Sequence, residues 1–282
     1  MTSLYLIAVF ALLIAWQKTR KFALYFLPWL IFAVTYDSMR FYPNYMVGGI
    51  DVRGLYEAEK SLFGIAAQTP TELQAIADHS QMMIPGEYFS VHHAALPDLM
   101  AGFFYLCWVP VPIAFSLYLY LKGDRKHYLH FSTAFLFVNL VGFAGYYIHP
   151  AAPPWYVMQY GFEPLLHTSG NVAGLGRFDE LIGIPVFQSL YGKNANVFAA
   201  IPSLHAAYML VTTIYAVISQ QRKAVIATFA IICMGIWWTA VYTSHHYLID
   251  VALGIATCVV AVVVFECLLL KVPSIRNTFN GY

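Results

Sequence analysis

The stretch AVIATFAIICMGIWWTAVYTSHHYLIDVALGIATCVVAVVVFECLLL, residues 224–270, decides the architecture. It holds two apolar runs, Ala224 to Ser244 and Tyr247 to Leu270, joined by a short polar hinge. Its only charges are Asp250 near the start of the second run and Glu266 near its end. A hydrocarbon core of about 30 Å takes roughly 20 helical residues to cross. Two membrane-crossing helices joined by a tight turn are therefore predicted, with His245, His246 and Asp250 where they meet.

The same reading extends outward. Leu99 to Leu121 and Phe131 to Ile148 are further uncharged runs, and Phe22 to Tyr36, Leu204 to Ser219 and Ser3 to Trp16 complete the set. The last lacks the basic leader and small-residue cleavage site of a signal peptide. The chain is 60% apolar and 10% charged, with a mean hydropathy of +0.63; soluble domains carry about 25% charged residues. An all-α polytopic membrane protein follows, with seven helices near 3–16, 22–37, 99–121, 130–149, 204–219, 224–244 and 247–270. No repeat or linker divides residues 1–282, so a single membrane-embedded domain is expected. The four cysteines lie in apolar runs without ligand spacing and read as small buried residues. A net charge of +1 points to no nucleic-acid partner, and oligomeric state leaves no signal in the sequence.

Short basic turns alternate with long loops. The segments 17–21, 122–128 and 220–223, with Lys271 and Arg276, hold ten of the fifteen Lys and Arg residues. Arg40, Arg53, Lys60, Arg177 and Lys193 fall on the other side. The positive-inside rule then puts the short turns in the cytoplasm and the loops 38–98 and 150–203 outside. That side is the periplasm in a bacterium and an organelle lumen in a eukaryote. In the first loop, Thr69-Pro70-Thr71-Glu72 predicts a capped helix running to about Met82. Leu55, Glu59, Leu62 and Phe63 make an amphipathic stretch suited either to the lipid interface or to packing over the bundle. The Gly-, Pro- and aromatic-rich second loop reads as a rigid lid or pocket wall.

Three features meet at the outer boundary: Ile201-Pro202-Ser203-Leu204-His205, Ser244 to Asp250, and the segment around Trp155. His246 and Asp250, four apart, share one face if both are helical, so the carboxylate can hold one imidazole nitrogen and leave the other as a nucleophile. His205, at the start of another helix after Pro-Ser, is suited to give and take the leaving-group proton. Adjacent histidines point apart on a helix and no acidic cluster accompanies them, so neither a metal nor another cofactor is expected.

Ser203-Leu204-His205 and His246-Tyr247-Leu248-Ile249-Asp250 resemble the second and third signatures of the type 2 phosphatidic acid phosphatase (PAP2) superfamily. That resemblance implies a six-helix core, His246 as nucleophile, Asp250 as its partner and His205 as the acid. The chain departs from the phosphatases in lacking K-x6-R-P and in carrying Thr239-Ala240 where they have Ser-Arg. Fewer cationic clamps favour a phosphodiester donor, with one charge, over a monoester with up to two. Within the superfamily the ordered set Pro150 to Tyr156, Pro202 to His205 and His245 to Asp250, with Gly176 to Asp179 and Tyr36 to Arg40, is similar to fungal-type inositol phosphorylceramide synthases. Sphingomyelin synthases place Ser-Gly-His at Ser203 to His205 and match less well. The resemblance implies transfer of phosphoinositol from phosphatidylinositol to ceramide through a phosphohistidine. A lipid phosphatase and a transferase of phosphoethanolamine or phosphocholine are the alternatives.

Substrate contacts expected from the residues are Arg40, Arg177, Ser203 and His245 toward the phosphate or head group. Asp37 and Asp179 are expected toward inositol hydroxyls, and Trp155 and Tyr156 as pocket walls or interface anchors. His245 either contacts phosphate or faces the loop.

Overall fold

A computed structural model describes residues 2–191 and 196–273. Lys193 and Arg276, counted above with the two faces, lie outside the described residues. The helices are α1 (Thr2–Ala15), α2 (Gln17–Ser38), α3 (Gly54–Phe63), α4 (Pro70–Ala75), α5 (Pro85–Val91), α6 (Ala95–Leu106) and α7 (Pro110–Leu121). There follow α8 (Arg125–Ile148), α9 (Pro154–Tyr160), α10 (Gly176–Ile182), α11 (Val186–Tyr191), α12 (Leu204–Ile218), α13 (Lys223–Tyr242) and α14 (Leu248–Cys267). The strands β1 (Ile65–Ala66) and β2 (Met82–Met83) form a short antiparallel ribbon. The fold is all-α and polytopic, that of an integral membrane protein.

The seven expected spans are all helical but unequal. Those in α2, α8, α13 and α14 are long and apolar enough to cross a bilayer. The run Leu99 to Leu121 is not one helix but two, α6 and α7, bent by 41°. Pro110, the first residue of α7, has no N–H to continue the ladder and its ring would strike the carbonyl of Leu106. The remaining apolar helices, Leu4–Ala15 and Leu204–Ile218, are shorter. At 15 residues, about 22 Å, α12 does not reach across alone. It packs against α7, α8, α13 and α14, and an irregular backbone at membrane depth is tolerated where protein encloses it. The start of α12 is thus sunk into the bundle.

Residues 17–21, expected as a cytoplasmic turn, instead form the first turns of α2. Lys and Arg are good helix formers, and here they also finish α1: Thr19 Oγ1 donates to Leu13 O (2.7 Å) and Arg20 Nε to Ile14 O (2.9 Å). The capped helix at Thr69 forms with its capping box, but it ends at Ala75 rather than Met82. The chain turns at His79 (φ 57°) and returns as β2. Helix α3 packs over the bundle through Leu55, Tyr56 and Glu59, whereas Leu62 and Phe63 are exposed. Of the cysteines, Cys233 and Cys258 are buried, but Cys107 is half-buried and Cys267 exposed.

Three apolar clusters frame the site. One joins α2, α7, α8, α12 and α14 through Tyr25, Phe115, Phe131, Tyr208 and Phe265. Another joins α6, α10, α12, α13 and α14 through Tyr105, Phe178, Met209, Ile236 and Val251. The third lies in the loop cap, where Leu55, Tyr56, Ile84, Tyr156 and Phe198 enclose Tyr247. Backbone bonds tie the cap together: Asp51 N to Pro150 O (2.8 Å), Ala152 N to Asp51 O (2.9 Å) and Ala151 N to Phe198 O (2.9 Å).

Candidate active site

Helix α13 ends at Tyr242, and Ser244 turns the chain in the left-handed region at φ 58°. The loops hold this turn from outside. Trp155 N donates to Ser244 O (3.0 Å), Gly174 N to Thr243 O (3.0 Å) and Ser244 Oγ to Gly86 O (3.1 Å). From within, His246 N donates to Ala240 O (2.9 Å). Spacing alone predicts His246 and Asp250 on one helix face. In the structure α14 begins only at Leu248, so His246 precedes it and Asp250 reaches back from the first turn. Its Oδ2 accepts from Tyr247 N at 3.0 Å and lies 3.4 Å from His246 Nδ1.

Ser203 caps α12, its Oγ accepting from Ala206 N (3.4 Å), while its own N–H donates to Asp250 O (3.0 Å). Two residues on, His205 Nδ1 lies 3.0 Å from His246 Nε2. This approach needs α14 without a side chain at Gly254, where a Cβ would sit 2.1 Å from Ser203 O. The His205 ring stacks on Tyr105 (centroids 4.9 Å apart) and against Trp108 (4.5 Å). The bend between α6 and α7 falls at Trp108, so the proline break serves the site.

Proton positions follow along this row. A carboxylate only accepts, so His246 Nδ1 carries the proton facing Asp250 and Nε2 keeps its lone pair. His205 Nδ1–H must then donate to His246 Nε2. Tyr191 OH, 3.4 Å from His205 Nε2, stands at the far end. The row thus sets a lone pair at His246 Nε2 and a hydrogen at His205 Nδ1 facing each other at 3.0 Å.

His205 also separates two cavities. The larger, about 280 Å³, is lined among others by Tyr36, Asp37, Arg40, Trp108 and Tyr208. The smaller, about 70 Å³, has Trp155, Asn171, Tyr191, His245 and His246 in its wall. Arg40 and Asp37 pair at 2.8 Å on the rim of the larger cavity. Trp155 is a pocket wall, but Tyr156 is core, its hydroxyl donating to Glu163 O (2.8 Å) and accepting from Leu165 N (2.6 Å). Arg177 and Asp179 line neither cavity. Arg177 Nε pairs with Asp98 (2.7 Å). Both oxygens of Asp179 accept from the start of α11, from Phe187 N at 3.0 Å and Gln188 N at 2.8 Å. Ser203 is fully buried behind His205.

Glu59 escaped the sequence reading as a site residue. From α3 its carboxylate accepts from Leu248 N (2.8 Å) and Ile249 N (3.1 Å), capping the helix that carries Asp250. Burial pushes its pKa up to about 7, against those two bonds. An acid on the apolar side of an amphipathic stretch was the available signal. Trp108 and Tyr191 carried no signal, since aromatic residues are common throughout the chain.

A family model described as PAP2 superfamily matches residues 79–264. The chain belongs to the PAP2 superfamily. This PAP2 chain is 56% identical over its full 282 residues to the phosphoinositol dihydroceramide synthase of Bacteroides thetaiotaomicron, covering 88% of that protein. It is 30% identical over 170 residues to the inositol phosphorylceramide synthase of Candida albicans, a match covering 57% of this chain and 35% of the longer relative. Over 131 residues it is 30% identical to the inositol phosphorylceramide synthase catalytic subunit of Saccharomyces cerevisiae, 46% of this chain and 31% of that one. No solved structure matches it. Glu59 and the rest of α3 lie before the PAP2 match begins.

Proposed function

We propose that this PAP2 enzyme is a lipid phosphotransferase that moves phosphoinositol from phosphatidylinositol to the primary hydroxyl of ceramide or dihydroceramide. The observation that carries the reading is the row Asp250, His246, His205, in a chain akin along its full length to a phosphoinositol dihydroceramide synthase. His246 Nε2 attacks the phosphorus and the bond to the glycerol oxygen breaks. With the anionic donor bound, His205 in its imidazolium form gives its Nδ1 proton to that oxygen and becomes neutral, so diacylglycerol leaves and inositol-phosphoryl His246 remains. The acceptor hydroxyl then gives its proton to His205, its oxygen attacks phosphorus, and the nitrogen–phosphorus bond breaks. At 3.0 Å the two rings leave no room for a phosphoryl group, so the bound donor parts them.

The charge of the site favours a diester. Among the described residues no Lys or Arg lines the smaller cavity, and Arg40 lines the larger. The buried Thr239 and Ala240 supply no cation where the phosphatases have Ser-Arg. Positive charge on the short connections supports a site on the outer face of the membrane.

The test is to incubate detergent-purified protein with ceramide and a panel of phospholipid donors and identify the products by mass spectrometry. Inositol phosphorylceramide is expected with phosphatidylinositol, and His246→Ala is expected to lose about 10⁴-fold or more. Free phosphate or head-group phosphate without ceramide product would make the enzyme a hydrolase. Acid-quenched labelled donor that leaves no acid-labile phosphohistidine would refute the covalent step.

A further inference from the structure

His245, beside the nucleophile, has no part in that mechanism, yet its ring is held in one protonation state and one orientation. Thr243 Oγ1 lies 2.7 Å from the carbonyl oxygen of Thr239 and 3.0 Å from His245 Nδ1. A carbonyl has no proton to give, so the hydroxyl proton lies on the Thr239 side. Toward His245 the same oxygen can only accept, and His245 Nδ1 therefore carries a hydrogen. The imidazole stays neutral, because burial and the neighbouring His246 push its pKa down to about 3. Nε2 is then a bare lone pair. The residue is 5% exposed, Nε2 has no hydrogen-bond partner, and the ring lines the smaller cavity between Tyr105 and Tyr191.

A buried acceptor without a donor is unfavourable by itself, and its chemistry limits what can satisfy it. A phosphate oxyanion would meet lone pair against lone pair. A hydroxyl group fits. We propose that His245 Nε2 accepts a hydrogen bond from a hydroxyl of the transferred head group, making His245 the residue that selects a polyol-bearing donor. This rests on the phosphotransferase reading above. The head group is favoured over the acceptor lipid because it stays on His246 between the two half-reactions, next to His245 in sequence and in the same cavity wall.

Exchange of labelled diacylglycerol into the donor reads the first half-reaction without any ceramide. Its kcat/KM is measured with phosphatidylinositol and with phosphatidylethanol, whose head group has no hydroxyl. His245→Phe is expected to lower the ratio between the two donors by roughly tenfold or more, and His245→Gln, whose carbonyl can accept in place of Nε2, to recover much of it. An unchanged ratio in folded His245→Phe overturns the inference alone, as does an effect seen only when ceramide is present. No exchange by the wild-type chain, with no ceramide product either, overturns the transferase reading with it. The wild-type chain provides a second measure through monodeoxy-inositol donors. Loss of one particular hydroxyl is expected to lower kcat/KM roughly tenfold, and a series in which no position matters refutes the proposal without any variant.

Discussion

Replacing Glu59 by Gln tests whether a buried acid from the loop cap governs the helix that carries Asp250. Its carboxyl is pushed up to about 7 from an ordinary 4.5, burial outweighing the two backbone donors. Between those values the folded protein binds a proton that the unfolded chain has released, so stability falls as pH rises through the window. A shift of this size corresponds to about 3 kcal/mol, present below pH 4.5 and lost above pH 7. Gln is uncharged throughout. The melting temperature of wild type in detergent is expected to drop on the order of 5 °C more than that of Glu59→Gln between pH 5 and pH 8. Gln offers one acceptor to the two N–H groups of Leu248 and Ile249. A several-fold fall in kcat at little change in KM is therefore expected from a loosened first turn of α14. Parallel melting curves for the two proteins across pH would refute the reasoning.

Three further outcomes follow from the geometry. Asp250→Asn can donate to His246 Nδ1 and so favours the wrong tautomer; a fall of about 10²- to 10⁴-fold in kcat is expected, measured by single-turnover transfer with protein that still elutes as wild type. Arg40→Ala removes the cation on the rim of the larger cavity and is expected to raise the KM for phosphatidylinositol several-fold with kcat largely kept; a pure kcat effect would place Arg40 at the reacting phosphoryl instead. Gly254→Ala sets a methyl group 2.1 Å from Ser203 O. Backbone cannot yield as a side chain does, so the start of α12 is expected to shift, destabilising the protein by about 1–3 kcal/mol and lowering kcat roughly 100-fold; a fully active Gly254→Ala would show that the His205–His246 distance tolerates movement.

The site is joined across the chain by bonds that sequence spacing does not reveal. Ser203 N to Asp250 O links α12 to α14, and Trp155 N and Gly174 N hold the turn before His246 from two points of one loop. The cap is thus part of the active site's scaffold as well as its cover.

Local chemistry made much of this legible in advance. Long uncharged runs meet one solvent requirement, the satisfaction of every backbone group inside hydrocarbon, and only a helix answers it locally; hence α2, α8, α13 and α14. The histidines and Asp250 stand out because ionisable groups beside such runs need a polar site. Pairwise placement was decided elsewhere. Whether Asp179 faces a substrate or caps α11, whether Tyr156 lines a pocket or fills the cap, and which acid braces α14 depend on contacts between segments far apart in the chain. Glu59 lies 189 residues from Leu248. Composition and periodicity carry which face of an element is apolar, but the partner of a buried carboxylate is chosen by packing, and only the assembled tertiary structure contains it.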